Sequence, residues 1–147
     1  MAARLLRSPP ASSPGRRNIM RAIKSRDTGP ELALRSAFRE AGFSGYRVNM
    51  KGVPGRPDIA FTRYKLAIFV HGCFWHRCPK CNLALPKRHR DYWLKKFKSN
   101  VERDERNLRS LDAAGWASLV FWECQIRKKI DACVTRTIRV LSEAKDS

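Results

Sequence analysis

Residues 56–81, RPDIAFTRYKLAIFVHGCFWHRCPKC, carry more structural obligations than any other part of the chain. Two apolar runs, Ile59–Phe61 and 66–70, are separated by the polar turn 62–65, a pattern that predicts a β-hairpin. The second run is apolar throughout, as expected of a central strand covered on both faces. The loop that follows, 71–90, has no hydrophobic period, so something other than a core must hold it.

That loop contains Cys73-x4-Cys78-x2-Cys81, three of the five cysteines in the chain. Thiolates are good zinc ligands, and a structural zinc site wants four ligands in a tetrahedron. Two residues can supply the fourth. One is Cys124, just beyond an apolar run at 116–122 that predicts a strand beside 66–70; the other is His76, inside the loop. An odd cysteine count fits metal thiolates in a reducing compartment better than a secreted disulfide framework. A site closed by four thiolates has no open position for water, so this zinc builds the loop and takes no part in chemistry. Cys133, on the expected inner side of the last helix, reads as a small core residue.

The rest of the chain frames this stretch. Pro9, Pro10, Pro14 and Gly15 make residues 1–16 a flexible basic arm, and 17–147 read as a single domain. A short basic helix is expected over 17–24. Thr28-Gly29-Pro30-Glu31 has the spacing of a capping box, opening a helix with Leu34, Phe38 and Ala41 on one face and Gly42 at its end. Tyr46, Val48 and Met50 alternate with polar residues, as in a half-buried strand, and a Gly52-Val53-Pro54-Gly55 turn follows. After the loop, Asp91 caps a long helix with Trp93, Phe97, Val101, Leu108 and Leu111 at helical intervals and Gly115 as its stop. A last helix spans 126–144, with Ile130, Val134, Ile138 and Leu141 inward. The order α-α-β-β-β-α-β-α fits a mixed sheet flanked by helices, an α/β fold.

Charge points to the partner. There are 31 Lys and Arg against 13 Asp and Glu, a formal net charge of +18. Such a field captures polyanions, and aromatics and candidate metal ligands accompany it, so nucleic acid is the expected partner. No run approaches the ~20 apolar residues of a membrane span, and a soluble cytoplasmic protein is expected.

Several side chains suit phosphodiester hydrolysis, which needs a divalent ion on hard oxygen ligands and a proton acceptor beside the scissile linkage. Asp58 stands at the start of the hairpin; His71 and His76 flank Cys73-Phe74-Trp75 in the loop. Asp104 lies eleven residues after Trp93 and seven after Phe97, so it can face inward and orient an imidazole. Glu31 serves either the helix cap or the metal. Phe74, Trp75 and Trp93 stand among Arg77, Lys80, Lys95 and Lys96. Aromatics on a stiff basic loop can enter between bases, and a mispaired step is the cheaper one to open.

The strings Met20-Arg21-Ala22-Ile23, Ser25-Arg26-Asp27-Thr28, Gly55-Arg56-Pro57-Asp58, Ile68-Phe69-Val70-His71-Gly72-Cys73-Phe74-Trp75-His76, Asn100-Val101-Glu102-Arg103-Asp104 and Trp122-Glu123-Cys124 resemble the very short patch repair DNA mismatch endonucleases, which have a restriction-endonuclease-like fold. The resemblance covers residues 20 to 127. It implies a magnesium-dependent nick 5′ of the thymine in T:G mismatches left by deamination of 5-methylcytosine. It assigns magnesium to Asp58, with the backbone carbonyl of Val70 beside it. Water activation falls to His76 with Asp104 behind it, the phosphate to His71, and a metal-held water to Glu31. Phe74, Trp75 and Trp93 become a wedge from the major groove, while Met20 approaches from the minor groove. Cys73, Cys78, Cys81 and Cys124 become the zinc ligands. Base-edge readers fall among Lys95, Lys96 and Arg127. The implied partners are mismatched double-stranded DNA and downstream repair proteins, met by a monomer at the nucleoid.

The chain departs from the family's pattern in places. The wider fold carries an acid and a lysine after the second hairpin strand, where this chain has Val70, His71 and Gly72. The best-known relatives have threonine at the position of Val70 and a histidine in place of one cysteine ligand. Their stretch corresponding to Cys78-Pro79-Lys80-Cys81 is one residue shorter. Two other readings stand beside the nicking one: a restriction-type nuclease cutting both strands, and a zinc-stabilised DNA-binding module without catalysis.

Overall fold

The computed structural model describes residues 27–146. The expected arm at 1–16, the helix at 17–24 and Met20 lie outside them. Among the described residues four strands form one sheet, in the order β1 (Arg47–Val48), β2 (Ile59–Phe61), β3 (Leu66–His71) and β4 (Ala117–Trp122). The first three are antiparallel neighbours, whereas β3 and β4 run parallel, with Leu66 opposite Ala117 and His71 opposite Trp122. A parallel pair needs a long crossover, and helix α2 (Arg90–Ala113) provides it.

The apolar pattern sorts the helices between the two faces. Leu66 and Ile68 of β3, with Leu119 and Phe121 of β4, point to the face covered by α1 (Gly29–Glu40) and α3 (Glu123–Asp146). Leu34, Phe38, Ile126, Cys133 and Leu141 complete that core. Ala67 and Phe69 point the other way, to Leu111 of α2 and to Val53. The mixed sheet between helices is thus the α/β arrangement that the element order predicts, and Cys133 is a buried core residue as expected.

α1 starts where the capping pattern places it. Thr28 Oγ1 accepts the Glu31 N–H at 3.4 Å, and Pro30 sits in the first turn. The hairpin strands fall on the predicted runs, joined by a 3₁₀ turn at Thr62–Tyr64 and by Lys65 in the left-handed region.

Three expectations need correction. β1 is two residues long and not six, because Asn49 takes a positive φ of 47° and turns the chain out of the sheet. Tyr46 then packs on the α1 side and Met50 on the α2 side, leaving Val48 42% exposed. Asp91 is not the cap of α2: the helix begins at Arg90 after His89 in the left-handed region, and Asp91 lies within the first turn. On that helix Val101 is exposed and Asn100 buried, so the inner stripe runs through Trp93, Phe97, Asn100 and Leu111. α3 begins three residues early, and Lys129 leaves helical geometry (φ −142°, ψ 54°). Beyond that break the buried residues are Cys133, Thr137 and Leu141, while Ile138 is half-buried. Thr137 enters the core because its hydroxyl donates to the Cys133 carbonyl at 2.9 Å.

Candidate active site

The parallel pairing of β3 with β4 decides what comes together. Both strands finish at one end of the sheet, so His71 ends level with Trp122, and Cys73 and Cys124 follow directly. The sulfurs of Cys73, Cys78, Cys81 and Cys124 lie within 4.8 Å of one another, with Cys78 Sγ 3.8 Å from Cys124 Sγ. Zinc–sulfur bonds of about 2.3 Å in a tetrahedron space the sulfurs about 3.8 Å apart, so this donor set fits zinc. All four are free thiols, and burial pushes Cys73 up to about 12, as happens where thiols crowd together away from water. His76, the other candidate for fourth ligand, belongs to a separate group.

That second group joins His71, His76 and Asp104, whose ligand atoms also lie within 4.8 Å of one another. The two imidazoles stack with centroids 4.0 Å apart and planes 6° from parallel, and the edge of Trp122 meets His71 at 5.3 Å. His76 Nδ1 is 2.5 Å from Asp104 Oδ2. Burial raises Asp104, but its hydrogen bond and charge interaction with His76 outweigh this and leave it below the usual carboxylate range. An ionised Asp104 accepts, so Nδ1 of His76 carries the proton and Nε2 is left as the basic atom. His71 moves the other way: burial and the neighbouring His76 lower it to about 4, so it is neutral at pH 7.

Asp58 reaches the same end of the sheet. The Val70 N–H donates to its Oδ2 at 2.6 Å, one residue before His71. On its other side is Glu31, 3% exposed, whose carboxyl lies near enough to act on it directly. Burial first, and then Glu31, raise Asp58 to about 7. The buried Glu31 and the half-buried Asp58 offer hard oxygens that a divalent cation fits, because its charge would offset both causes of the Asp58 shift. Arg35 backs the pair: Nη2 donates to Glu31 Oε2 at 3.5 Å, and Nη1 lies 2.9 Å from Asp27 Oδ1.

The aromatics form one cluster. Phe74 meets Trp75 at 5.1 Å, Trp93 at 5.6 Å and Phe97 at 5.2 Å, mostly edge to face. Trp93 is 7% exposed and lies beneath the half-buried Phe74 and Trp75. The Arg77 guanidinium covers Phe97 at 4.5 Å and donates to the Leu83 carbonyl. Of the proposed base readers, Lys95 and Arg127 are exposed, Lys96 is half-buried, and Arg127 pairs with Glu123 at 3.4 Å.

Residues 12–83 match the profile of the family described as DNA mismatch endonuclease Vsr. A relative described as type II nicking enzyme V.NmeAIP, from Neisseria meningitidis serogroup A, is 40% identical over 131 residues, covering 88% of this chain and 91% of its own. The chain belongs to the DNA mismatch endonuclease Vsr family. Two further relatives are similar at 42% identity. The type II nicking enzyme V.XorIIP of Xanthomonas oryzae matches over 76% of this chain and 81% of its own, and the DNA mismatch endonuclease Vsr of Escherichia coli K12 over 74% and 69%. The Vsr family is one of DNA endonucleases, so the two clusters at the end of β3 and β4 lie in an enzyme. Among the described residues no helix is long and apolar enough to cross a membrane.

Asn100 and Arg35 touch these clusters without having been given a role in the sequence, whereas Arg77 lies against the aromatics as expected. Asn100 had a readable signal, falling between Phe97 and Asp104 on the inner stripe of α2, where a polar residue needs a buried partner. Arg35 stands four residues after Glu31, the spacing of a helical ion pair.

Proposed function

We propose that this protein is a magnesium-dependent nicking endonuclease that cuts 5′ of the thymine in T:G mismatches arising from deaminated 5-methylcytosine. The observation that carries the reading is the His76–Asp104 pair stacked on His71, one residue along β3 from the backbone N–H that holds Asp58. Its relatives include a mismatch endonuclease and nicking enzymes, which supports a DNA-nicking activity.

Asp58 and the Val70 carbonyl would hold magnesium, with Glu31 holding a water beside it. Bound there, the ion would supply positive charge at the scissile phosphate and ease deprotonation of the attacking water. His76 Nε2 takes the proton from that water, and Asp104 steadies the imidazolium that results. The neutral His71 offers a ring N–H to a phosphate oxygen. Phe74 and Trp75 enter beside the mispair with Trp93 as their support, and Lys95, Lys96 and Arg127 read the flanking bases. Met20 approaches from the other groove. Cys73, Cys78, Cys81 and Cys124 would hold zinc, which would stiffen the loop carrying both the aromatics and His76. The wider expectations belong to this reading: a restriction-endonuclease-like domain over 17–147 with a basic arm at 1–16, acting as a monomer on DNA in the cytoplasm, ahead of downstream repair proteins.

The test uses strand-labelled duplexes with T:G or T:A at one position, incubated with magnesium and resolved on a denaturing gel. A nick in the T strand of the mispaired duplex alone is expected. Cleavage of both strands of the matched duplex would replace this reading with a restriction-type nuclease, and binding without cleavage would leave a DNA-binding module.

A further inference from the structure

We propose that Asn100 is a positioning residue for the nicking reaction, fixing the peptide link between Trp75 and His76 so that seating the aromatic pair also sets the imidazole. The inference rests on the nicking reading above. Asn100 is 5% exposed in the middle of α2, and its Nδ2 donates to the Trp75 carbonyl at 3.1 Å. Asparagine is a poor choice for such a place on packing grounds. It forms helix less readily than alanine or leucine, and its amide costs free energy to bury unless it finds partners. An apolar side chain would extend the stripe of Trp93 and Phe97, yet an amide stands there, spent on one carbonyl.

That carbonyl belongs to the peptide unit joining Trp75 to the proposed base. The other edge of the same unit is held as well, since the His76 N–H donates to the Gly72 carbonyl at 3.1 Å. One turn along α2 from Asn100, Asp104 holds the His76 ring through Nδ1. Helix α2 therefore grips His76 at two points, its backbone through Asn100 and its ring through Asp104. Trp75, whose Cα lies in this peptide plane, cannot shift while the plane stays fixed without turning about its own side-chain bonds. An insertion into DNA that moves the plane moves His76 with it. Asn100 touches no reacting atom. Its role is to transmit the seating of the wedge to the imidazole, where a misplacement of about 1 Å can cost ~100-fold in rate.

Asn100→Asp keeps the shape and removes the N–H donor. With enzyme saturating over a T:G duplex and magnesium present, its single-turnover nicking rate should fall about 100-fold. Its affinity for T:G and T:A duplexes, measured without magnesium, should stay within about 3-fold of wild type, because the aromatic pair and the basic surface are unchanged. Asn100→Ala, which cannot bring a new charge into the site, should show the same split between rate and affinity. A rate within about 3-fold of wild type in either variant with unchanged zinc content and melting temperature would overturn the inference, as would a loss confined to affinity. If wild type itself leaves the T:G duplex uncut, it is the nicking reading that fails. Wild-type nicking beside an unaffected Asn100→Asp overturns this inference alone.

Discussion

In the proposed reaction His76 takes a proton from water, and Asp104, 2.5 Å from its Nδ1, holds the other ring nitrogen still. Asp104→Asn leaves the ring a neutral partner that no longer favours the Nε2-basic tautomer or the imidazolium. The nicking rate is expected to fall by about 100-fold or more, with duplex affinity and melting temperature little changed. Asp58 makes a prediction of opposite sign for stability. Its folded pKa, raised to about 7 from 3.8, means the ionised carboxylate destabilises the magnesium-free fold. The penalty is fully present above about pH 7 and disappears as pH falls below the unfolded value. Asp58→Asn should therefore melt higher than wild type at pH 8 without magnesium, and lower or equal at pH 4, while losing all cutting. Equal melting temperatures at pH 8 would show that the site carries no such strain. Asp104 was legible because its intervals from Trp93 and Phe97 are helical. Glu31 was legible only as a choice between the helix cap and the metal, because the capping-box spacing accounts for it locally and only the sheet brings Asp58 to it.

At the scale of elements, most boundaries followed from local chemistry: Thr28 and Pro30 start α1, Gly115 with φ +83° ends α2, and the hairpin strands match their apolar runs. β1 and α3 departed from expectation because their limits are set by tertiary contact. Tyr46 and Met50 are claimed by cores on opposite faces, which a single alternating strand cannot serve. The turn before Asp58 is the most sensitive junction. Gly55 has φ +80°, and a Cβ there would lie 3.0 Å from both Asn107 Cβ and Phe69 Cε1. Gly55→Ala combines left-handed strain with overpacking between α2 and β3, at an expected cost of about 2–4 kcal/mol. Urea unfolding would measure it, and a change below ~0.5 kcal/mol would mean that the turn relaxes freely.

Taken whole, the molecule gathers its candidate site at one end of a sheet and in a loop without regular structure, so the thiol cluster should matter beyond its own ligands. Cys81→Ser, or a strong chelator, is expected to release one zinc ion per chain, lower the melting temperature and abolish nicking, because Phe74, Trp75 and His76 lie between ligands. Retained nicking in zinc-free protein would separate the loop's order from the metal. By itself the sequence determined the partner's charge, the hairpin, the helical stripes and the chemical types of the candidate ligands, since composition and period are local properties of the chain. Tertiary structure alone decided which ligands share a site. Pairing β4 parallel to β3 carries Cys124 across 46 residues to Cys78, and α2 lays Asn100 and Asp104 against Trp75 and His76. Such meetings depend on strand order and helix placement, which the whole core fixes and no single stretch encodes.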